Sequence, residues 1–581
     1  LYSEGGFEVE ARISMHYDVA IIGGGPGGST TASYLRKYGD DVKVLILERE
    51  KFPRDHVGES QLPPISLILQ ELGVWDKIEA ANFPIKIGAS YRWGKTPELW
   101  HFEFFPRKEF QDEPRPAKFE GQRKWTAFQV DRAIYDDILL RHSEQMGTEV
   151  REETKVTQVL REGDRVEGLM LDSGEVVTAD LYVDASGHSG ILRRAMGVET
   201  KVPTALQNIA IWEYWQNTEW AETVGTGGTM VQVLSIGYGW FWFIPLGPTR
   251  TSIGFITSAQ YYKESGLTPE ELYRKAMSEE ETILDLTKNA TREGQIFTTK
   301  DWSFTSDRLV GENWMLVGES AGFADPILAA GLSLTHVAGR EAAFTILARM
   351  REEHDWAWLG SEYQRRQLRR VENHIRFADY WYSANAQFKD LQGFTQEIAR
   401  VNGLDLSPEK AWAWLAQGGF INDELSAGIG GYSVAQIREI SDRLSDLTMT
   451  SVVKDSNIFR LDLIGCKQEN RAVYADGKIT SRPCYVRGEK TLVQVGAADL
   501  IVHVLAADIN RVTINQTLRA ITQRHANDEA FFQLVLSQFE VTLEAMIQDG
   551  WVKTYYEPSI SMEAFPSSDN LAEWLNQTAV P

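Results

Sequence analysis

The feature that most constrains this chain is the run Gly23, Gly24, Gly25, Pro26, Gly27 and Gly28, set between an apolar stretch of strand length and a helix-like stretch from Ser29 to Lys37. A second apolar run, Val42 to Leu47, follows and closes on Glu48, which lies 20 residues beyond Gly28. Apolar strand, glycine turn, helix and second strand in that order predict a βαβ unit. Gly23, Gly25 and Gly28 occupy the fixed positions of a G-x-G-x-x-G loop. There the backbone can approach a pyrophosphate at a helix N-terminus, with Pro26 inside the loop. An acid at the end of the second strand, Glu48, accepts a hydrogen bond from a ribose hydroxyl. The expectation is a dinucleotide-binding α/β domain.

Two later turns lengthen the cofactor. Asp184, Ala185, Ser186 and Gly187 end one buried strand, and Gly318, Glu319, Ser320, Ala321 and Gly322 end another after Trp314 to Val317. From Tyr17 to about Ala342 the pattern resembles the flavoprotein monooxygenase superfamily, in which such turns hold the ribityl chain and pyrophosphate of FAD. The resemblance implies FAD contacts from Asp184, Gly187, Gly318, Glu319 and Asp325. It also implies a phosphate-side role for Arg132, which follows Gln129, Val130 and Asp131. Glu319 departs from the Asp usual in that superfamily, so the ribityl contact needs a longer side chain or a water.

Three further elements narrow the resemblance to flavin-dependent halogenases. Phe52, Pro53 and Arg54 lead into Gly58, Glu59, Ser60, Gln61, Leu62 and Pro63, similar to the G-E-S-x-x-P element of that family. Trp240 to Pro245 fits its W-x-W-x-I-P signature at every fixed position, and Lys86, between Ile85 and Ile87, stands where the family places its active-site lysine. Alternating tryptophans share one side of a strand, so packing alone could also explain the signature.

The resemblance implies an enzyme that uses FADH2, O2 and chloride or bromide to make hypohalous acid at the flavin. Trp240 and Trp242 would keep substrate from the flavin, Lys86 would present the oxidant to an electron-rich carbon, and Glu59 and Ser60 of the G-E-S-x-x-P element are further catalytic candidates. Arg54 joins the expected cofactor contacts. Halide falls to the backbone amides of Ala330 and Gly331 after Asp325 and Pro326, without the hydroxyl that relatives place there. The subgroup most similar to this chain acts on substrates tethered to carrier proteins and includes the chloramphenicol-pathway halogenase, in which an aspartate is joined to the flavin. Asp301 is the candidate equivalent. A separate flavin reductase and an acyl or peptidyl carrier protein are the partners implied, and Tyr380 or Tyr382 is an aromatic candidate for the channel wall or the core.

Composition bears on organisation. The 581 residues predict more than one core: an extension at 1–14, an FAD-binding domain at 15–388 with an added β-sheet substrate region, and a mostly helical domain at 389–581 with winged-helix-like features. The net charge of -23 disfavours nucleic acid as a partner. It also disfavours a flavin-bearing DNA-binding regulator, because 389–581 carries 17 Lys and Arg against 25 Asp and Glu. Two cysteines leave no disulfide scaffold or Cys-based metal site, which points to a reducing cytoplasm. The uncharged stretch Thr223 to Thr249 holds six glycines and two prolines, which suits sheet better than a membrane span. An FAD monooxygenase or reductase of the same fold is the nearest alternative, though only one nucleotide fingerprint is present. An acidic carrier would need a basic docking patch, for which Arg365, Arg366, Arg369 and Arg370, or the stretch Lys454 to Lys490, are the candidates.

Overall fold

In the computed structural model, the described residues are 13–383 apart from 40, 94–97, 203–206, 221–222 and 225–227, the hairpin residues 428–429 and 432–433, and most of 452–562. Residues 1–12 and the expected boundary at 388 lie outside them. Strand Ile13–Ile22 sits at the centre of a seven-stranded sheet, parallel to Val44–Leu47 on one side and Val176–Asp184 on the other. Glu149–Arg151 extends the parallel set beyond Val44–Leu47, and Trp314–Leu316 pairs in parallel with Val176–Asp184. The hairpin Val156–Glu162 and Arg165–Leu171 closes the other edge antiparallel. Every residue of Val44–Leu47 is buried, as a strand covered on both faces requires. Glu149–Arg151 forms the parallel edge of this sheet.

A ten-stranded sheet forms the second layer. Its path runs Thr291–Arg292, Gln207–Gln216, Arg250–Ser258, Gly239–Pro245, Gly228–Ile236, Ile85–Arg92 and Trp100–Glu103. Two long helices follow, Gly331–Met350 and Trp356–Ser383. The first is buried along most of its length, packed against helix Pro26–Tyr38, and its start faces the space between the two sheets.

The described part of the C-terminal region is richer in strand than expected. A meander of Lys467–Ala475, Lys478–Arg487 and Lys490–Val493 precedes helices Gly496–Ala507 and Arg511–His525, and Ile458–Leu461 pairs with Val552–Tyr555. The helical pair has its own apolar core around Phe459, Ile501, Leu518 and Trp551. The meander belongs elsewhere: Ala472, Tyr474 and Ile479 are buried in the main core. The backbone N–H of Ala472 donates to Glu362 at 2.9 Å, and Arg351 donates to the carbonyl of Gly477 at 2.8 Å. The meander is thus stitched to the two long helices.

The arginine cluster on the second helix serves this stitching. Arg366 and Arg370 donate to the buried carboxylate of Glu341 at 2.7 to 3.2 Å, and Arg365 pairs with Glu362. Burial alone would raise the carboxyl of Glu341, but Arg366 and Arg370 hold it far below the ordinary carboxylate range. The basic patch expected at Arg365 to Arg370 is therefore corrected: Arg366 is itself buried, Arg366 and Arg370 converge on Glu341, and Arg365 is paired with Glu362.

Candidate active site

One cavity of about 550 Å³ lies between the two sheets and takes in most of the singled-out residues. Its first end is the glycine loop. Gly23 has φ +103, and a Cβ there would stand 2.4 Å from the carbonyl oxygen of Ala185, while one on Gly28 would stand 1.9 Å from the carbonyl of Gly23. The loop therefore tolerates no side chain at either position, and the N-terminus of helix Pro26–Tyr38 is open to a ligand. Glu48 holds the loop in shape, because its carboxylate accepts from the N–H of Gly24 at 2.7 Å and of Glu50 at 2.9 Å.

Two arginines supply positive charge beside this loop. Arg132 is buried and donates to both oxygens of Asp136, at 2.7 and 2.9 Å, and to the carbonyls of Val57 and Gly58. Arg54 reaches the same carboxylate at 3.2 Å. Burial opposes ionisation of Asp136, yet Arg132 and Arg54 outweigh it and hold the carboxyl below its ordinary value. Asp136 was not singled out by sequence, although its spacing of four from Arg132 on one helix was the available signal.

The later turns divide. Gly187, Gly318 and Glu319 line the cavity, and burial raises the Glu319 carboxyl despite the opposing pull of Arg132. Asp184 does not line it. Its carboxylate accepts from Ser186, Leu192 and Arg193 at 2.6 to 3.1 Å, so it shapes the turn from behind. Gly331 lines the cavity at the start of its helix and Ala330 occupies the N-cap position just behind, where it is buried. Asp301 stands in strand Phe297–Trp302 opposite Asn208; its side chain and that of Tyr380 lie outside the described residues.

At the other end, Trp240 and Trp242 form a wall with ring centres 6.2 Å apart. The indole N–H of Trp240 donates to Tyr382 at 2.8 Å and that of Trp242 to Ser252 at 3.0 Å. Asp325 accepts from Tyr382 and Asn208, both at 3.2 Å, and burial pushes its carboxyl up to about 7. Asn208 and Ser252 carried no motif and became visible only through these bonds.

Lys86 reaches the cavity by way of an irregular strand. Along Ile85–Arg92 the parallel register with Gly228–Ile236 pairs Lys86 with Thr229 but Gly88 with Met230, so Ile87 is an extra residue. The bulge puts Lys86 on the face shared by Tyr91, Val231 and Val233, all of which line the cavity. Strict alternation would have sent it to the opposite face with Gly88 and Ser90. Lys86 is 2% exposed, donates to the carbonyl of Gln61 at 3.0 Å, and is pushed down to about 7 by burial. Glu59, on the same wall, accepts from Tyr214 at 3.1 Å, and burial raises its carboxyl to about 7. Ser60 lines the cavity beside it.

Two environments thus meet in one space: a glycine-and-arginine cradle for an extended anionic dinucleotide, and a buried amine and carboxyl beyond an aromatic wall. Among the described residues there is no cluster of metal-ligating side chains, and no helix is long and apolar enough to cross a membrane.

The model for the tryptophan halogenase family matches residues 18–113 and 107–392. The chain is 32% identical over 385 residues to the 1H-pyrrole-2-carbonyl-[peptidyl-carrier protein] chlorinase of Pseudomonas fluorescens, a match covering 64% of this chain and 85% of that protein. The structure of the myxobacterial chondrochloren halogenase CndH, described as FAD-dependent, is 29% identical with a TM-score of 0.57, and the match covers 74% of this chain and 97% of that one. CmlS, a flavin-dependent halogenase, has a TM-score of 0.68 at 24% identity, covering 94% of this chain and 97% of its own, so the shared fold extends into the C-terminal region.

Proposed function

Because this chain belongs to the tryptophan halogenase family and is a flavin-dependent halogenase, an oxidoreductase using FAD, halide and O2, we propose that it makes hypohalous acid and delivers it through Lys86 to a carrier-tethered intermediate of secondary metabolism. The observation that carries this reading is the placement of Lys86. A buried amine, turned by a bulge into the cavity that holds the glycine cradle, pairs with no carboxylate among the described residues and donates among them to a backbone carbonyl alone.

The residues present fit FAD. The glycine loop and helix Pro26–Tyr38 would take the pyrophosphate, Arg132 and Arg54 would balance its charge, and Gly187, Gly318 and Glu319 would border the ribityl chain. Bound in reduced form, FAD supplies the electrons that convert O2 and halide to hypohalous acid. Gly331, at a helix N-terminus, offers halide an N–H, with the buried amide of Ala330 behind it. Trp240 and Trp242, each held by a hydrogen bond, keep the organic substrate on the far side. With its pKa near 7, Lys86 populates both an ammonium that donates a hydrogen bond to the oxidant and an amine that takes the halogen directly. Glu59, balanced near the same pH, can accept the proton lost from the halogenated carbon.

Reduced flavin comes from a separate reductase in this reading, since the sequence carries one nucleotide fingerprint, at Gly23 to Gly28. Asp301 is the position for a covalent flavin link, tested by whether the flavin stays with the protein after acid denaturation. The carrier-tethered substrate is suggested by the pyrrolyl-carrier chlorinase relative. The deciding experiment supplies reduced FAD, O2 and chloride or bromide to the protein and looks for hypohalous acid with a trap and for halogenated carrier substrate by mass spectrometry. Hydroxylated product without trapped hypohalous acid would assign the chain to monooxygenase chemistry instead.

A further inference from the structure

Glu59 is 1% exposed on the wall of the cavity, where burial raises its carboxyl to about 7. Among the described residues a single side chain bonds to it. The hydroxyl of Tyr214 donates to Oε1 at 3.1 Å, and the N–H of Gly58 donates to Oε2 at 3.1 Å. Each oxygen is thus held by one donor and keeps a lone pair to spare. A buried carboxyl without an ion pair burdens the fold, and Gln in its place would fill the same space without a charge to bury. Such a group is better accounted for by chemistry than by packing.

Tyr214 stands behind Glu59 rather than on the cavity wall. It lies on strand Gln207–Gln216 four residues beyond Ala210, which does line the cavity, so the two share a face. Its ring is fixed from two sides: the guanidinium of Arg250 lies 4.0 Å from its centre, and Phe297 meets it edge-on at 5.7 Å. Arg250 is anchored in turn by carboxylates from three separate segments, Asp55, Asp131 and Glu293, at 2.8 to 3.1 Å. A cation over the ring draws electron density from the phenol and makes its O–H a stronger donor. The other acceptor near that hydroxyl, the carbonyl of His56, is at 3.5 Å, so Oε1 of Glu59 is the nearer target.

We propose that Tyr214 is a positioning residue for the halogenation step: it holds the Glu59 carboxylate still at the cavity wall, so that Glu59 takes up the proton which the substrate carbon releases. This rests on the halogenase reading and deepens it. In that step the π pair of the electron-rich carbon bonds the halogen, and the halogen–oxygen pair stays on the oxygen, which leaves as water with a proton from the Lys86 ammonium. The C–H pair then restores the π bond while its proton passes to Glu59. The bond from Tyr214 favours the ionised form of Glu59, so losing it makes the carboxyl harder to ionise.

The other charged or titratable groups around Glu59 are Arg132 with its partner Asp136, Arg250 behind Tyr214, and Lys86, His56 and Glu319, which line the same cavity. None of them changes in Tyr214→Phe, which keeps the ring. Infrared titration of the FAD-loaded protein, with Glu59→Gln as the subtracted reference, reads the Glu59 carboxyl directly, and Tyr214→Phe should raise its midpoint by about one pH unit. With a pyrrole-2-carbonyl thioester on a peptidyl carrier protein as probe, the variant should halogenate about tenfold more slowly than wild type at pH 6, and the deficit should close toward pH 9. On the Glu59→Gln background the same exchange should change nothing, whereas a hydroxyl needed only for packing would cost as much there as in wild type. An unmoved midpoint overturns the proposal, as does a deficit that is equal at every pH or persists beside Glu59→Gln. If wild type yields trapped hypohalous acid but leaves this probe unhalogenated, the midpoint alone decides. A wild type from which no hypohalous acid is trapped overturns the halogenase reading itself, and that assay contains no carrier substrate.

Discussion

Trp240 is tied to Tyr382: its indole N–H donates to the phenol oxygen across 2.8 Å, and the same hydroxyl donates on to Asp325 at 3.2 Å. The end of helix Trp356–Ser383 thereby fixes the orientation of a ring in the cavity wall. Trp93 packs edge-on against both Trp240 and Tyr382, which leaves little room for either to turn.

Tyr382→Phe should leave the buried indole N–H and the Asp325 carboxyl each one partner short. The expected loss is about 1–3 kcal/mol in a urea titration. Asp325 should also become harder to ionise, because the Tyr382 hydroxyl now lowers its pKa.

Lys86 titrates near 7 in the fold against an ordinary value of 10.5, the cause being burial. Between those values the unfolded chain binds the extra proton, so this group makes stability rise with pH across that window, and below it the fold carries a buried charge at full cost. Lys86→Met should therefore be more stable than wild type at pH 6, with the difference shrinking toward pH 10. Its halogenation of an organic substrate should fall by about a hundredfold or more, while trapped hypohalous acid persists.

Arg132 and Asp136 form a buried pair beside the glycine cradle. Arg132→Met should weaken FAD binding about tenfold or more, the worth of one charge-assisted hydrogen bond. It should also destabilise the apo protein by about 3–5 kcal/mol, since Asp136 would keep only Arg54. Flavin fluorescence titration and chemical denaturation check the two effects separately.

Glu341 is held well below the ordinary carboxylate range by Arg366 and Arg370. A depressed folded value means that its stabilisation is present above the unfolded value near 4.5 and is lost as pH falls below it. Glu341→Gln should cost about 3–5 kcal/mol at pH 7 and should narrow the gap to wild type as the solution is acidified. Charge reversal of Arg365, by contrast, should disturb Glu362 and the meander it holds through Ala472, so a change in carrier use by that variant would have to be corrected for lost stability.

The glycine cradle, the tryptophan wall and the lysine were legible in the sequence because each is local: a strand, a turn and a few residues carry the whole pattern. What escaped was written across long separations. Asn208 with Asp325, Tyr214 with Glu59 and Ser252 with Trp242 are partners by sheet register, and register is set by the assembled layers. The arginines of the second long helix were misread for the same reason. Their spacing suggested an exposed basic stripe, but Glu341 on the neighbouring helix draws two of them inward. The meander likewise read as part of a separate unit, because nothing local in Ala472 to Ile479 announces that its apolar face closes someone else's core.

The extra residue in strand Ile85–Arg92 makes the position of the amine depend on a count. Regular pairing with Ile87 retained would leave every recognisable motif of the chain in place, yet it would turn Lys86 through half a rotation to the side where Ser90 lies, whereas removing Ile87 itself would straighten the strand and keep Lys86 on the face of Ala89 and Tyr91. In a lineage of such proteins, the bulge and the spacing between Lys86 and Tyr91 must therefore change together: losing the bulge alone would silence delivery of the oxidant without altering any signature residue, and losing the extra residue along with it would not.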